Sequence, residues 1–264
     1  MKSYKLIILS LLCVSCATNP YTGKKTMALK GNDELFAASF KQYDQFITSN
    51  KVVTDTKDAE MIHRVGKRIS NAAKVWLDSK GYQGYLDKYE WEYNLIDDKT
   101  ENAWCMPGGK IVFYTGILPT ALTEDGVATI MGHEVAHALA NHGQQRSSAG
   151  TLQKVGALGV LVATSDKSAT DQALWLGGYS AVTQVGGMLP FSRKHETEAD
   201  EIGIYLMAIA GYNPEEAPKL WKRMQEKSKG SSSDILSTHP SDAKRIQNLT
   251  NLVDKAKAEA LKYK

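Results

Sequence analysis

His133, Glu134 and His137 are the residues of this chain whose types and spacing are best suited to chemistry, in the run His133-Glu134-Val135-Ala136-His137. Residues four apart share one face of a helix, so both imidazoles can reach a single ion, and a zinc ion is the expected cofactor. Glu134 sits one step round the helix, where it can hold a water beside the metal and take its proton. The run lies in the second half of a helical pattern over residues 123–141, carried by Val127, Ile130, Met131, Val135, Ala138 and Leu139. Thr123 is the expected N-cap, Glu124 and Asp125 suit the positive end of the helix dipole, and Gly143 is the expected stop. Polar groups on a face that would otherwise enter a core need a partner there, and a metal supplies one. The alternative is a helix carrying two surface histidines.

A catalytic zinc takes a third protein ligand and leaves one position open. An ending with glycine three residues and histidine six residues past the second histidine fails here. Ala140 and Gly143 occupy those positions, and His142 comes one residue early. An inverted His-x-x-Glu-His run is absent. A glutamate from a downstream helix remains, and residues 192–200 open such a helix, which runs through Ile202, Tyr205, Leu206 and Ile209 to Gly211. Glu196 and Asp200 share a face, so the first can bind the metal while the second accepts a hydrogen bond from a ligand histidine. Small Ala199 and Gly203 let this helix approach the first one closely. An acidic, solvated helix start is the other reading of these carboxylates, and it is adopted for Glu198, which points away from the Glu196–Asp200 face. His63, His142 and His195 have no partners at ligand spacing and read as surface or satisfied polar residues.

These two stretches, with Ser237-Thr238-His239-Pro240-Ser241, resemble the HtpX and CAAX-prenyl-protease family of zinc metallopeptidases, in particular its soluble, lipid-anchored bacterial branch. Asn19-Pro20-x-Thr22-Gly23-Lys24 and Pro107-Gly108-Gly109 match the same branch. The resemblance implies an α+β, mainly helical, zincin-like (gluzincin) fold with a small β-sheet beside the zinc-binding helix. It implies Glu196 as third ligand and Glu134 as general base. His239 alone reads as a cap for the helix after Pro240. The resemblance brings it to the active site, to donate to the oxyanion or to bind zinc in a resting, closed state. Residues 102–106 become the candidate edge strand that aligns an extended substrate by backbone pairing, with Asn102 and Ala103 as substrate-binding residues and Ala103 near the scissile bond. The expected reaction is hydrolysis of peptide bonds in misfolded or surplus cell-envelope proteins. A lipid-anchored chaperone or assembly factor, and a zinc hydrolase of cell-wall peptides, are the competing readings.

Localisation is read from the start of the chain. Lys2 and Lys5, an apolar run over residues 6–14, and Ser15-Cys16 describe a secretory signal too short to span a bilayer. Val14-Ser15-Cys16 resembles a lipobox, so residues 1–15 are the expected signal peptide, Cys16 the lipidated mature N-terminus, and 16–264 one domain. Cys13 stands where leucine is commonest. Ala17 after the cysteine points to the periplasmic face of the outer membrane. Only Cys105 then remains free, so no intramolecular disulfide is expected. The formal charge of +3 falls to +1 without Lys2 and Lys5, which argues against a nucleic-acid partner.

The elements that must position the site follow from patterning. Residues 32–47 and 58–77 are expected helices, with Phe36, Phe40, Tyr43 and Phe46, then Ile62, Val65, Ile69 and Trp76, on their apolar faces. Residues 90–96 and 110–115 are expected strands, separated by the Pro-Gly-Gly turn. The Gly-, Ala- and Ser-rich stretch 147–187 is expected to pack over or beside the cleft, with a polar break at 165–171. Residues 227–234 are the expected mobile loop leading to His239.

Overall fold

Apolar residues at helical spacing build the helices around the site, and a small sheet closes one side of them. The computed structural model describes residues 16–228, 234–239 and 243–263. The expected signal peptide 1–15, most of the expected mobile loop and Pro240-Ser241 lie outside the described residues.

Strands β1 (Cys16–Thr18) and β2 (Lys25–Met27) pair antiparallel, with Cys16 opposite Met27. Helix α1 (Asn32–Ser49) and β3 (Val52–Val53) lead to α2 (Lys57–Ser79), whose Thr56 cap accepts a hydrogen bond from the Ala59 amide. Strands β4 (Glu92–Ile96), β5 (Ala103–Met106) and β6 (Lys110–Tyr114) complete a four-stranded sheet of order β3-β4-β6-β5. The Pro-Gly-Gly turn joins β5 to β6, and β4 pairs with β6 in parallel. That turn requires glycine: Gly108 and Gly109 have φ of 88° and 94°, and Cβ atoms there would strike Phe40 and Trp91. β5, which covers residues 103–106 of the expected segment 102–106, is therefore an edge strand, as the resemblance implied, with Asn102 just before it.

The short helix α3 (Leu118–Ala121) precedes α4 (Glu124–Leu139), which carries the paired histidines. Thr123 caps α4 through the Gly126 amide. The helix stops earlier than expected. Asn141 takes the left-handed turn (φ 56°) that Gly143 was expected to supply, and α5 (His142–Ala163) begins at once. Asparagine tolerates that conformation, so the stop needs no glycine. Helices α6 (Ala169–Thr183) and α7 (Leu189–Ile209) follow, joined by a π-helical turn, then α8 (Glu216–Ser228), α9 (Asp234–Thr238) and α10 (Ala243–Ala260).

The decisive packing is α4 against α7. A Cβ on Gly132 would lie 2.7 Å from the Gly203 carbonyl oxygen, and one on Gly203 would lie 2.8 Å from the His133 amide nitrogen. The backbones touch one residue before the first histidine, so α7 delivers its carboxylates directly to the α4 face. Ala199 and Gly203 act as their sizes suggested. Replacing Gly203 by alanine should cost about 1–3 kcal/mol through overpacking. A thermal melt should show the loss, while Gly159→Ala, with open space at its Cβ, should leave the melting temperature unchanged or slightly raised.

Candidate metal centre

Four side chains converge: His133 and His137 from α4, Glu196 from α7, and His239 just after α9, each offering one ligand atom within 4.8 Å of the others. His133 Nε2 lies 3.1 Å from His137 Nε2, and these atoms lie 3.3 Å from Glu196 Oε2 and Oε1 respectively. His239 Nδ1 lies 2.9 Å from Glu196 Oε2 and 3.1 Å from His133 Nε2. Four N and O donors placed tetrahedrally about 2 Å from one ion are about 3.3 Å apart, and the distances just given, 2.9–3.3 Å, are close to that value.

The outward-facing ring nitrogens decide which lone pairs point inward. His133 Nδ1 donates to Asp200 Oδ1 at 2.9 Å, which leaves Nε2 bare. Glu198 Oε2 accepts from His142 Nε2 at 2.8 Å, so His142 Nδ1 is an acceptor, and His137 Nδ1 donates to it at 2.9 Å. His137 Nε2 is therefore bare as well. Two lone pairs facing each other at 3.1 Å repel unless a cation lies between them. The local charge asks for the same thing, since Glu196 and Asp200 share the Arg245 guanidinium and the buried Glu134 adds a third carboxylate beside His239. Burial and Arg245 push the His133 imidazole down, yet Asp200 and Glu196 outweigh them and lift it to about 9. A field that favours a proton on His133 favours a metal cation in its place. Burial holds His137 well below its ordinary value, and thus neutral. Burial opposes ionisation of Glu196, but the imidazoles of His133, His137 and His239 gathered around it keep its carboxyl far below the usual range.

Glu134 is buried, and its Oε1 has no hydrogen-bond partner; His239 Nε2 stands 3.5 Å away. An unpartnered carboxylate oxygen beside four convergent donors is the arrangement a general base needs. A cleft of about 650 Å³ opens beside Ser192, Arg193, Glu196, Asp200 and Arg245. Ala103 is buried, so its backbone, not its side chain, is what β5 can offer an extended chain, and Asn102 Oδ1 already accepts from the Ala103 amide.

Sequence reasoning missed three supports. Arg245, on α10, grips Asp200 through Nε and Nη2, both at 2.7 Å, and lies 3.3 Å over the Trp221 ring. His142, read as a surface or satisfied polar residue, is the latter: wholly buried and bonded to Glu198 and His137, where it orients a ligand histidine that the sequence did not connect to it, and it stacks on His195. Glu198 is not a solvated residue: it accepts from His142 and from Asn19 Nδ2 (3.1 Å), because the N-terminal turn covers that face of α7. His195 is buried too, and burial pushes its imidazole down to about 3.

The model of the peptidase family M48 matches residues 56–253. The chain belongs to peptidase family M48. It is 37% identical over 178 residues to the mitochondrial metalloendopeptidase OMA1 of Schizosaccharomyces pombe, covering 66% of this chain and 50% of that protein. To the Saccharomyces cerevisiae protein of the same name it is 34% identical over 203 residues, 74% of this chain and 56% of the relative. The beta-barrel assembly-enhancing protease of Escherichia coli is 29% identical over 172 residues, 62% of this chain and 34% of the relative. The M48 chain thus spans about half the length of the first of these relatives. Members of this family are metal-dependent, and the cluster fits that requirement.

Two outcomes test the supports. Arg245→Met should leave Asp200 as a buried, uncompensated charge and cost about 3–5 kcal/mol, read from urea unfolding. Arg245→Lys should not restore it, because lysine cannot make the two-pronged contact. Glu198→Gln should weaken retention of a divalent metal against a chelator by about 10–100-fold, by releasing the His142–His137 relay.

Proposed function

We propose that this M48 chain is a zinc-dependent endopeptidase that cleaves misfolded or surplus proteins of the bacterial cell envelope. The observation that carries the activity is the convergent four-donor set of His133, His137, Glu196 and His239 beside the Glu134 oxygen that has no hydrogen-bond partner. Zinc, when bound, supplies a Lewis acid that polarises the scissile carbonyl and acidifies water. Glu134 removes a proton from the attacking water and returns it to the leaving amine. His133, His137 and Glu196 would hold the metal, and Asp200 fixes the His133 ring. His239 Nδ1, 2.9 Å from Glu196 Oε2, would complete the donor set in a resting, closed state; displaced from it, the ring would be free to donate to the developing oxyanion. The free edge of β5 next to α4 supports backbone pairing with an extended substrate at Asn102 and Ala103.

The setting is part of the same proposal. Val14-Ser15-Cys16 after an apolar run supports removal of residues 1–15, lipidation of Cys16, and attachment to the periplasmic face of the outer membrane. The Asn19-Pro20-x-Thr22-Gly23 turn supports the soluble lipoprotein branch near HtpX. The names of the relatives, two metalloendopeptidases and a protease, support protein substrates.

Glu134→Gln should abolish cleavage of unfolded protein while leaving metal content and the thermal melt intact. Chelation should abolish the wild-type activity, and added zinc should restore it. A cellular role that survives Glu134→Gln would instead assign the protein to client binding. His239→Ala should raise basal hydrolysis if the residue closes the site, and lower it if the residue serves the oxyanion alone.

A further inference from the structure

Helices α5 and α6 form a hairpin whose surface is wrong for water. Not one residue of α6 is buried, yet Leu174, Trp175 and Val182 are 69%, 60% and 72% exposed. At 100° per residue these three fall, with Gly178, within an arc of about 100°, under a third of the helix circumference. On α5, Val155, Leu158 and Val162 repeat the pattern at 59%, 62% and 75% exposed. No charged residue occurs over 155–165 or over 172–192. Helices draw most of their stability from packing an apolar face, and contiguous exposed apolar surface marks a contact site. Neither helix is long and apolar enough to cross a membrane.

We propose that this hairpin lies in the surface of a lipid bilayer, its helices parallel to the membrane plane. Chain entry argues for lipid over other occupants. The apolar run 6–14 leads into Cys16, which pairs with Met27 in the β1–β2 ribbon. Met27 and Lys25 line a cavity of about 540 Å³ together with Leu152 and Tyr179 of the hairpin and Met188 beyond it. Any tether to a membrane at Cys16, whether lipid or leader, therefore arrives against the base of the apolar surface. Charge agrees. Lys154, Arg193 and Lys194 are exposed at the margins of the uncharged runs, and Lys24 and Lys25 are exposed in the β1–β2 segment whose Lys25 lines the shared cavity; all suit anionic headgroups. The hairpin tip carries Asp166, Lys167 and Asp171, which forbids plunging tip-first and favours lying flat. The active-site cleft then faces a fixed way relative to the membrane, since α6 runs through one turn into α7, which carries Glu196. This proposal rests on the hairpin and the chain entry, not on the peptidase reading.

The test uses the emission of Trp175 in the full chain on vesicles of phosphatidylethanolamine and phosphatidylglycerol, with acyl chains plain or brominated. Brominated chains should quench a component of the emission that is lost in Trp175→Phe. In the paired variant Leu174→Glu and Val182→Glu that quenching should disappear, while hydrolysis of a soluble peptide and the far-ultraviolet circular dichroism stay unchanged. Equal quenching in wild type and Trp175→Phe would overturn the proposal. So would shielding of Trp175 from acrylamide that grows with protein concentration and needs no vesicles, which would make the occupant a second copy. Shielding that appears only on adding unfolded protein would overturn it in favour of a client.

Discussion

Backbone contact between α4 and α7 is the constraint from which the rest of this structure follows. Where Gly132 meets Gly203 there is no room for a side chain on either helix. Helices held that close bring residues on their facing surfaces to ligand distance without long side chains reaching across a gap. His133 follows the contact on α4, and Glu196 lies two turns before it on α7. The close approach fixes the distance between histidine and glutamate as firmly as the helix fixes the distance between the two histidines. A metal site built on two rigid, touching helices keeps its shape whether or not the cleft beside it is occupied.

That arrangement concentrates charge where water is scarce, and the outer residues manage the consequence. Asp200 orients the His133 ring but would be a buried carboxylate without a guanidinium to balance its charge if Arg245 were missing; α10 brings that residue back from the far end of the chain. Trp221 supports the guanidinium from α8, and its ring also meets the edge of His133. On the other side, Glu198 and His142 perform for His137 what Asp200 performs for His133, and Asn19 of the N-terminal turn completes that line. The two ligand histidines are thus oriented by separate parts of the chain, one C-terminal and one N-terminal, which ties the integrity of the site to the closure of the whole domain.

How much of this could be read in advance depended on whether a signal was local. The two histidines, their helix and its Thr123 cap declare themselves within a few residues, because helical geometry alone puts them together. Glu196 and Asp200 were legible for the same reason, four apart on one face. Arg245 was not, since its partner lies 45 residues away, although a buried Asp200 calls for some cation and could have prompted the search. Glu198 was misjudged because an off-face position on a helix is solvated only if nothing covers it, and here the Asn19 turn does. His142 looked unpaired because helical spacing was counted through Asn141, where the chain breaks into a second helix and swings His142 back onto His137. The stop at Asn141 and the parallel pairing of β4 with β6 belong to tertiary structure, and patterning over short windows does not encode them.

The central claim is that the four donors surround one zinc ion, and anomalous diffraction at the zinc absorption edge tests it most directly. The account predicts a single strong peak, about 2 Å from His133 Nε2, His137 Nε2, a Glu196 oxygen and His239 Nδ1, in crystals of the full chain grown with zinc. A peak at another group of side chains, or none between these four, would contradict it.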